Sequence, residues 1–373
     1  MYDVIIVGAR AAGSPLAMRL SQGGLKVLVV DRATFPSDTL STHLMNSDSV
    51  ERLSKWGVLD EVLASDLPTA DSIVMSVDGF AVELNPQGNP YPVIAPRRAV
   101  LDTVLVNAAR AAGAEVREGF SVRSLVGDGG RISGIVGRDA NGAEVVETAR
   151  LVIGADGRNS LVARQVGAES YNERPIRASL YYSYYKDWEG SAMETHHRDG
   201  ISFYAFPSNW GLACIGSYWP AEQFAEVKKN PEASLAAAAA AIPEVADRFG
   251  RARRIEPLQG WAGTAARYMR ASGPGWALVG DAAYLKDPIL GIGIADAYRD
   301  ADYAGDAILA GFAEGGESIE QRLALHEERR AKATATTYEL NDAIARGPFT
   351  KEMLQMLQAG AMASYRSRLA KAA

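Results

Sequence analysis

The sequence predicts an α/β fold built on a parallel sheet, with an inserted antiparallel sheet and a helical C-terminal segment. Three observations carry this expectation. Apolar, strand-like runs at 4–7, 151–154 and 276–279 each end in a turn of small residues with a carboxylate close by. From 176 to 264 the pattern changes to short alternating strands rich in aromatic residues. From 317 to 373 the chain reads as helix.

At 373 residues the chain exceeds what one core usually sustains, so two domains are expected. Segments 1–71, 97–175 and 265–316 would form one discontinuous domain, 72–96 and 176–264 a second, and 317–373 a helical appendage. A composition of 47% hydrophobic and 23% charged residues allows a sizeable core. The net charge of -6 and pI near 5.5 argue against nucleic acid or an anionic membrane as main partner. The single Cys214 excludes an internal disulfide and a cysteine-built metal site, and it reads as a small buried strand residue. The first apolar run stops at Gly8, far short of the ~20 residues that span a bilayer. No basic segment precedes it, so neither a signal peptide nor a transmembrane helix is read and a cytoplasmic protein is expected.

The elements follow in order. In "VIIVGARAAGSPLAMRL", residues 2–7 suit a buried parallel strand, and 11–22 place Leu16, Ala17 and Leu20 at helical spacing. "KVLVVDR" is a second strand closed by Asp31, 18 positions after Gly13, where a carboxylate can accept hydrogen bonds from the ribose hydroxyls of an adenosine. Gly8 permits the tight turn and Gly13 lets helix and strand pack closely. Arg10 stands where such turns usually carry a second glycine. Its backbone N–H can still approach a pyrophosphate if the side chain points away, over the dinucleotide rather than under it. Alone this turn is a weak signal, because similar turns join many ligand-free strands.

"APRRAVLDTVLVNAARAAGAEVREGFSV" reads as an arginine leading into a helix over 99–112, then a strand and Val122. "ARLVIGADGRNSLVARQVGA" places Asp156-Gly157-Arg158, Ser160 and Arg164 after its strand, and "GWALVGDAAYLKDPILGIGIADAYRD" runs from Gly280-Asp281 through Pro288 to Gly291-Ile292-Gly293 and a long helix. In the aromatic region, "LYYSYYKDW", "ISFYAF" and "GLACIGSYW" read as strands, with a turn at 207–211. Tyr182, Tyr184, Phe203, Phe206 and Trp210 are the candidate face of an apolar substrate pocket, or simply core. Asn230-Pro231 opens a helix and Pro243 follows it. Adjacent His196 and His197 would point to opposite faces of a strand, and with no third ligand nearby they do not read as a metal site. His326, in "LALHEERRAK", reads as part of a solvated face. Met353, Leu354, Met356 and Leu357 could cover the pocket or a dimer partner.

Taken together in this order over residues 2 to about 301, the three turn motifs make the chain resemble the FAD-dependent monooxygenases of the aromatic-hydroxylase type, the group A flavoprotein monooxygenases. The wider superfamily includes flavin halogenases and geranylgeranyl-reductase-like enzymes. The resemblance implies a Rossmann-like FAD-binding domain of the glutathione-reductase and hydroxylase type, with an antiparallel-sheet substrate domain lying over the flavin. It implies cofactor contacts from Gly8, Arg10, Ala11, Ala12, Gly13, Asp31, Arg32 and Thr42. Arg98 would reach the phosphates, preferred to Arg97 because the family spacing places it before Ala99-Val100-Leu101-Asp102, and a backbone group near Val122 would meet the adenine. Asp156 and Gly157 would lie near the pyrophosphate and serve reduced nicotinamide as well, and Gly280-Asp281 would bring a carboxylate to the ribityl hydroxyls. Pro288, Gly291, Gly293 and Ile294 would put a helix N-terminus beside the pyrimidine end of the isoalloxazine, where positive potential stabilises an anionic reduced flavin. His43 is the candidate for a direct flavin or substrate role, set against a structural hydrogen bond.

The implied reaction transfers one oxygen atom from O2 to an apolar, aromatic or polycyclic small molecule through a C4a-hydroperoxyflavin. Only one dinucleotide turn is present, so NAD(P)H would visit transiently or a separate flavin reductase would supply electrons. No nucleophile or metal is required. Tyr284 replaces the histidine of many aromatic hydroxylases, and Ile292 with Ala295-Asp296 replaces their Gln and Asn pattern, which sets the chain apart from simple phenol hydroxylases. The absence of a Trp-x-Trp-x-Ile-Pro segment disfavours a halogenase. An FAD-dependent reductase or dehydrogenase resembling geranylgeranyl reductases is the alternative, and a flavin-binding protein without turnover a third reading. Substrate identity and oligomeric state stay open.

Overall fold

The computed structural model describes residues 1–84, 89–315 and 318–372. Its centre is β1 (Tyr2–Val7), which runs parallel to β2 (Val27–Val30) on one side and to the strand Glu144–Gly154 on the other. Glu115–Arg117 extends the parallel array beyond β2, and Trp276–Leu278 extends it beyond Glu144–Gly154. β1 is apolar on both faces because both are covered. Val4 and Ile6 point into the core with α1 (Gly13–Gln22), whereas Ile5 and Val7 point into a second core with Phe120, Ile135 and Val162. Each such side chain contributes roughly 1.5–3 kcal/mol by burial.

Parallel strands place their carboxyl ends on one edge. The turns after Val7, Val30, Gly154 and Leu278, which are the segments singled out in the sequence, therefore converge there. The chain proceeds outward from β1 in opposite directions, first through β2 and then through Glu144–Gly154, and the crevice at such a reversal is where open α/β sheets bind ligands.

A second, largely antiparallel sheet contains the strands Ile73–Val77, Phe80–Glu83 and those from Ala178–Lys186 to Gln259–Trp261. A small third sheet of Ser170–Arg174, Ala266–Met269 and Tyr284–Leu285 was not expected. The helix Pro231–Ala240 begins at Asn230, whose side chain accepts the Ala233 N–H, and Pro243 starts the next helix. The expected boundary at 316/317 lies outside the described residues. Beyond it stand two helices, Ile319–Arg346 and Lys351–Ala372. Leu354 and Leu357 of the last helix pack on Met75, Val77 and Val82, while Met356 is exposed. Among the described residues no helix is long and apolar enough to cross a membrane.

Candidate active site

At the carboxyl edge of the parallel sheet lies one cleft of about 690 Å³, inside the ~300–1,000 Å³ range of ligand and cofactor pockets. It gathers all the turn motifs. Gly8, Arg10, Ala11, Ala12, Asp31, Arg32, Thr42, His43, Arg98, Val122, Asp156, Gly157, Gly280, Asp281, Pro288, Gly291, Gly293 and Ile294 all line it. Gly13 stands behind the wall, where a Cβ would collide with the Gly8 carbonyl oxygen, so its glycine serves the close approach of helix and strand.

The first turn is fixed by Asp31. Its Oδ2 accepts the Ala9 N–H at 2.7 Å and its Oδ1 accepts the Ala33 N–H at 2.8 Å, which leaves a further lone pair on each oxygen. No hydrogen bond among the described residues takes the amide N–H groups of Arg10, Ala11 and Ala12 at the start of α1. The Arg10 side chain turns sideways to Ser37 and to Asp102, which is fully buried and also receives Arg98. One carboxylate thus positions two guanidiniums at the cleft wall. Arg97 points elsewhere, pairing with Asp38 and Glu256 over the Tyr184 ring.

Gly157 and Gly293 are open on the side where a Cβ would stand, so a larger side chain at either would occupy free space at the cleft wall. Asp156 caps the short helix Leu161–Gln165 through Oδ2, which takes the Leu161 N–H at 2.7 Å, while its Oδ1 is buried without a partner. The Asp281 side chain is exposed within the cleft, where the surrounding protein displaces much of its bulk water and so raises its pKa, opposed by Arg98, Lys286 and Arg158. Gly280 donates its N–H to the buried Asp300 at 2.8 Å.

His43 is buried in the cleft wall with a left-handed φ of 63°, a conformation that costs a non-glycine residue energy and recurs at functional sites. Its Nε2 meets the Tyr184 hydroxyl, and burial pushes its pKa down to about 3, so the ring is neutral.

The five aromatic candidates separate. Tyr182 alone lines the cleft, beside Leu180 and Trp261. Tyr184, two residues along the same strand, lies behind it against His43. Phe203 faces away, in a core with Tyr185, Ile215 and Leu235. Phe206 is buried deeper, stacked on Tyr204, and Trp210 is 49% exposed in a turn. His326 requires a correction, for it is 5% exposed and pairs with Asp300 at 3.1 Å. It shares the inner face of its helix with Ile319, Leu323 and Arg330, spaced at three and four residues, so the charged neighbours masked a buried stripe. His196 and His197 do diverge, the first to Ser76 and Glu194, the second to Ser202 and the Phe349 ring.

Residues not picked out from the sequence support the site, Asp102 from behind the wall and Lys286 on it. Asp102 was legible only as the i+4 partner of Arg98. Lys286, a lone lysine in an apolar run, is buried against Asp296.

Comparison with known proteins names this arrangement. Residues 1–339 match the family described as FAD binding domain. The chain belongs to that FAD-binding family. It is 25% identical over 370 residues to digeranylgeranylglycerophospholipid reductase of Methanocella arvoryzae, covering 91% of this chain and 85% of the relative. The fold matches that of the myxobacterial chondrochloren halogenase CndH with a TM-score of 0.84 at 20% identity, covering 99% of this chain and 91% of the other. It also matches PqsL of Pseudomonas aeruginosa, described as a probable FAD-dependent monooxygenase, with a TM-score of 0.78 at 20% identity over 97% and 99% of the chains. As an FAD-dependent oxidoreductase family it requires a long polar cofactor site, and this cleft fits one. Open glycine walls, an unpartnered buried acceptor at Asp156, free amide donors at a helix start and two fixed guanidiniums suit a dinucleotide with two phosphates.

Proposed function

We propose that this chain is an FAD-dependent monooxygenase that places one oxygen atom from O2 on an apolar, aromatic or polycyclic small molecule, with NAD(P)H as a transient electron donor. The observation that carries the reading is the continuity of the polar cofactor cleft with an apolar wall of Leu180, Tyr182 and Trp261 supplied by the second sheet. Bound FAD supplies the redox chemistry and the activation of O2; the chain supplies position, charge and exclusion of water.

In this reading the amide groups of Arg10 to Ala12, with Arg98, hold the pyrophosphate. Asp31 takes the ribose hydroxyls on its remaining lone pairs, and the Val122 backbone meets the adenine. Asp281 would take the ribityl hydroxyls, and the helix opening at Gly293 would offer its positive end to the isoalloxazine. His43 and Thr42 would flank the ring, and Tyr182 would border the substrate. The electron donor is supported by a second hollow of about 240 Å³ adjoining the cleft at Arg158, Asn159 and Arg164 and lined also by Arg267. Among the described residues none of these three arginines forms a salt bridge with a carboxylate, which suits the phosphates of a nicotinamide dinucleotide.

A reductase reading is favoured by one observation, the near full-length likeness to digeranylgeranylglycerophospholipid reductase. Turnover with isotopically labelled O2 separates the two. Label in the product, with NAD(P)H oxidation matching oxygen consumed, supports the monooxygenase; product formed without O2 and carrying two added hydrogens overturns it in favour of the reductase.

A further inference from the structure

Lys286 sits in the loop between Gly280 and Gly291 and lines the cleft, with only 6% of its side chain exposed. Its Nζ pairs with Asp296, in the first turn of the helix Gly293–Ala313, and Arg299 pairs with the other oxygen of the same carboxylate. A first-turn carboxylate suits its own helix, yet it would oppose any anion held at that helix end. A bound FAD would carry one more negative charge once two electrons and one proton had been added to it. Two cations on one carboxylate reverse the local sign. Asp281 is the other carboxylate lining the cleft within electrostatic reach of Lys286, and neighbouring Asp287 is engaged with the Ala178 and Ile289 N–H groups. Burial lowers the affinity of Lys286 for its proton well below that of an ordinary lysine, and Arg299 adds to this while Asp281 opposes it; the Asp296 carboxylate against Nζ is what holds the proton there. Placing a lysine here costs desolvation that an apolar residue would avoid.

The geometry points to Lys286, clamped by Asp296, as the residue that makes this end of the cleft positive and so raises the two-electron reduction potential of bound FAD. The inference rests on the FAD reading of the cleft and is independent of whether the product is oxygenated or reduced.

The test uses FAD-loaded protein and inorganic sulfite, which adds to oxidised flavin and leaves the ring anionic, so its affinity reads the charge offered to the ring. Lys286→Met is expected to bind sulfite at least tenfold more weakly and to lower the dye-coupled reduction potential, by about 30 mV for each tenfold change in the two-electron equilibrium. Lys286→Arg should restore both. Asp296→Asn should move both in the opposite direction, a reversal that a merely structural role would not produce. Unchanged sulfite affinity and potential in FAD-loaded Lys286→Met overturns the inference while leaving the cofactor reading intact. If Lys286→Met does not retain FAD, Asp296→Asn decides: tighter sulfite binding supports the inference, and unchanged or weaker binding overturns it. Failure of the wild-type protein to take up FAD would instead overturn the cofactor reading and the inference with it.

Discussion

Arg10 and Asp102, 92 positions apart, are joined by a 2.6 Å hydrogen-bonded ion pair in which the carboxylate is wholly buried. Because Arg98 holds the other carboxylate oxygen at 3.0 Å, the side chain that replaces a turn glycine is an anchor rather than an obstruction.

Arg10→Gly is therefore expected to retain FAD, since Asp102 keeps Arg98 and the backbone of the turn is unchanged. Asp102→Ala leaves two guanidiniums without their carboxylate and should cost about 3–5 kcal/mol. Urea denaturation of both variants, with FAD content measured beside it, checks the contrast; equal losses would refute it.

Asp31→Ala removes the acceptor for two backbone N–H groups, Ala9 and Ala33. The expected stability loss is about 2 kcal/mol, and FAD affinity should fall at least tenfold by equilibrium dialysis. Full retention of FAD would reverse the role given to this carboxylate.

A Cβ at Gly293 would meet no atom of the protein within 4 Å, because the space beside it is open. Gly293→Val should fold with near wild-type stability but bind FAD at least tenfold more weakly. Parallel melting and FAD titrations test this, and unaltered FAD binding would place the cofactor elsewhere in the cleft.

Burial pushes both His43 and His197 down to about 3, far below the ordinary histidine value near 6.5. Between those values the unfolded chain binds a proton that the folded chain refuses, so stability falls as pH drops from neutrality. Each ring should cost about 2 kcal/mol by pH ~5. Asn tolerates the positive φ at position 43, so His43→Asn should flatten the fall in denaturation midpoint between pH 7 and 5.

Arg267→Ala should raise the KM for NADPH or NADH severalfold with little change in FAD affinity, because Arg267 lines the adjoining hollow and not the main cleft. Steady-state kinetics over both nucleotides would check it; an unchanged KM for each would remove the hollow from the electron-donor path.

Much of the architecture was legible before the chain was folded. The 2–7 strand, the glycine turn, the carboxylates at 31, 156 and 281 and the helix opening at Gly293 could be read because hydrophobic period and turn chemistry are local properties. Period two also fixed that Tyr182 and Tyr184 share a face and that Phe203 and Phe206 do not, but it could not say which face or which end of a strand meets the cleft. That was decided by sheet packing. Likewise the helical spacing of His326 and Arg330 was in the sequence, yet only the packing of their helix against Gly293–Ala313 brought them to Asp300. The partners of Arg10 and Lys286 were beyond local reading for the same reason. A buried charge takes its partner from whatever the topology brings near, and in a fold assembled from segments far apart in the chain that neighbour is a tertiary fact.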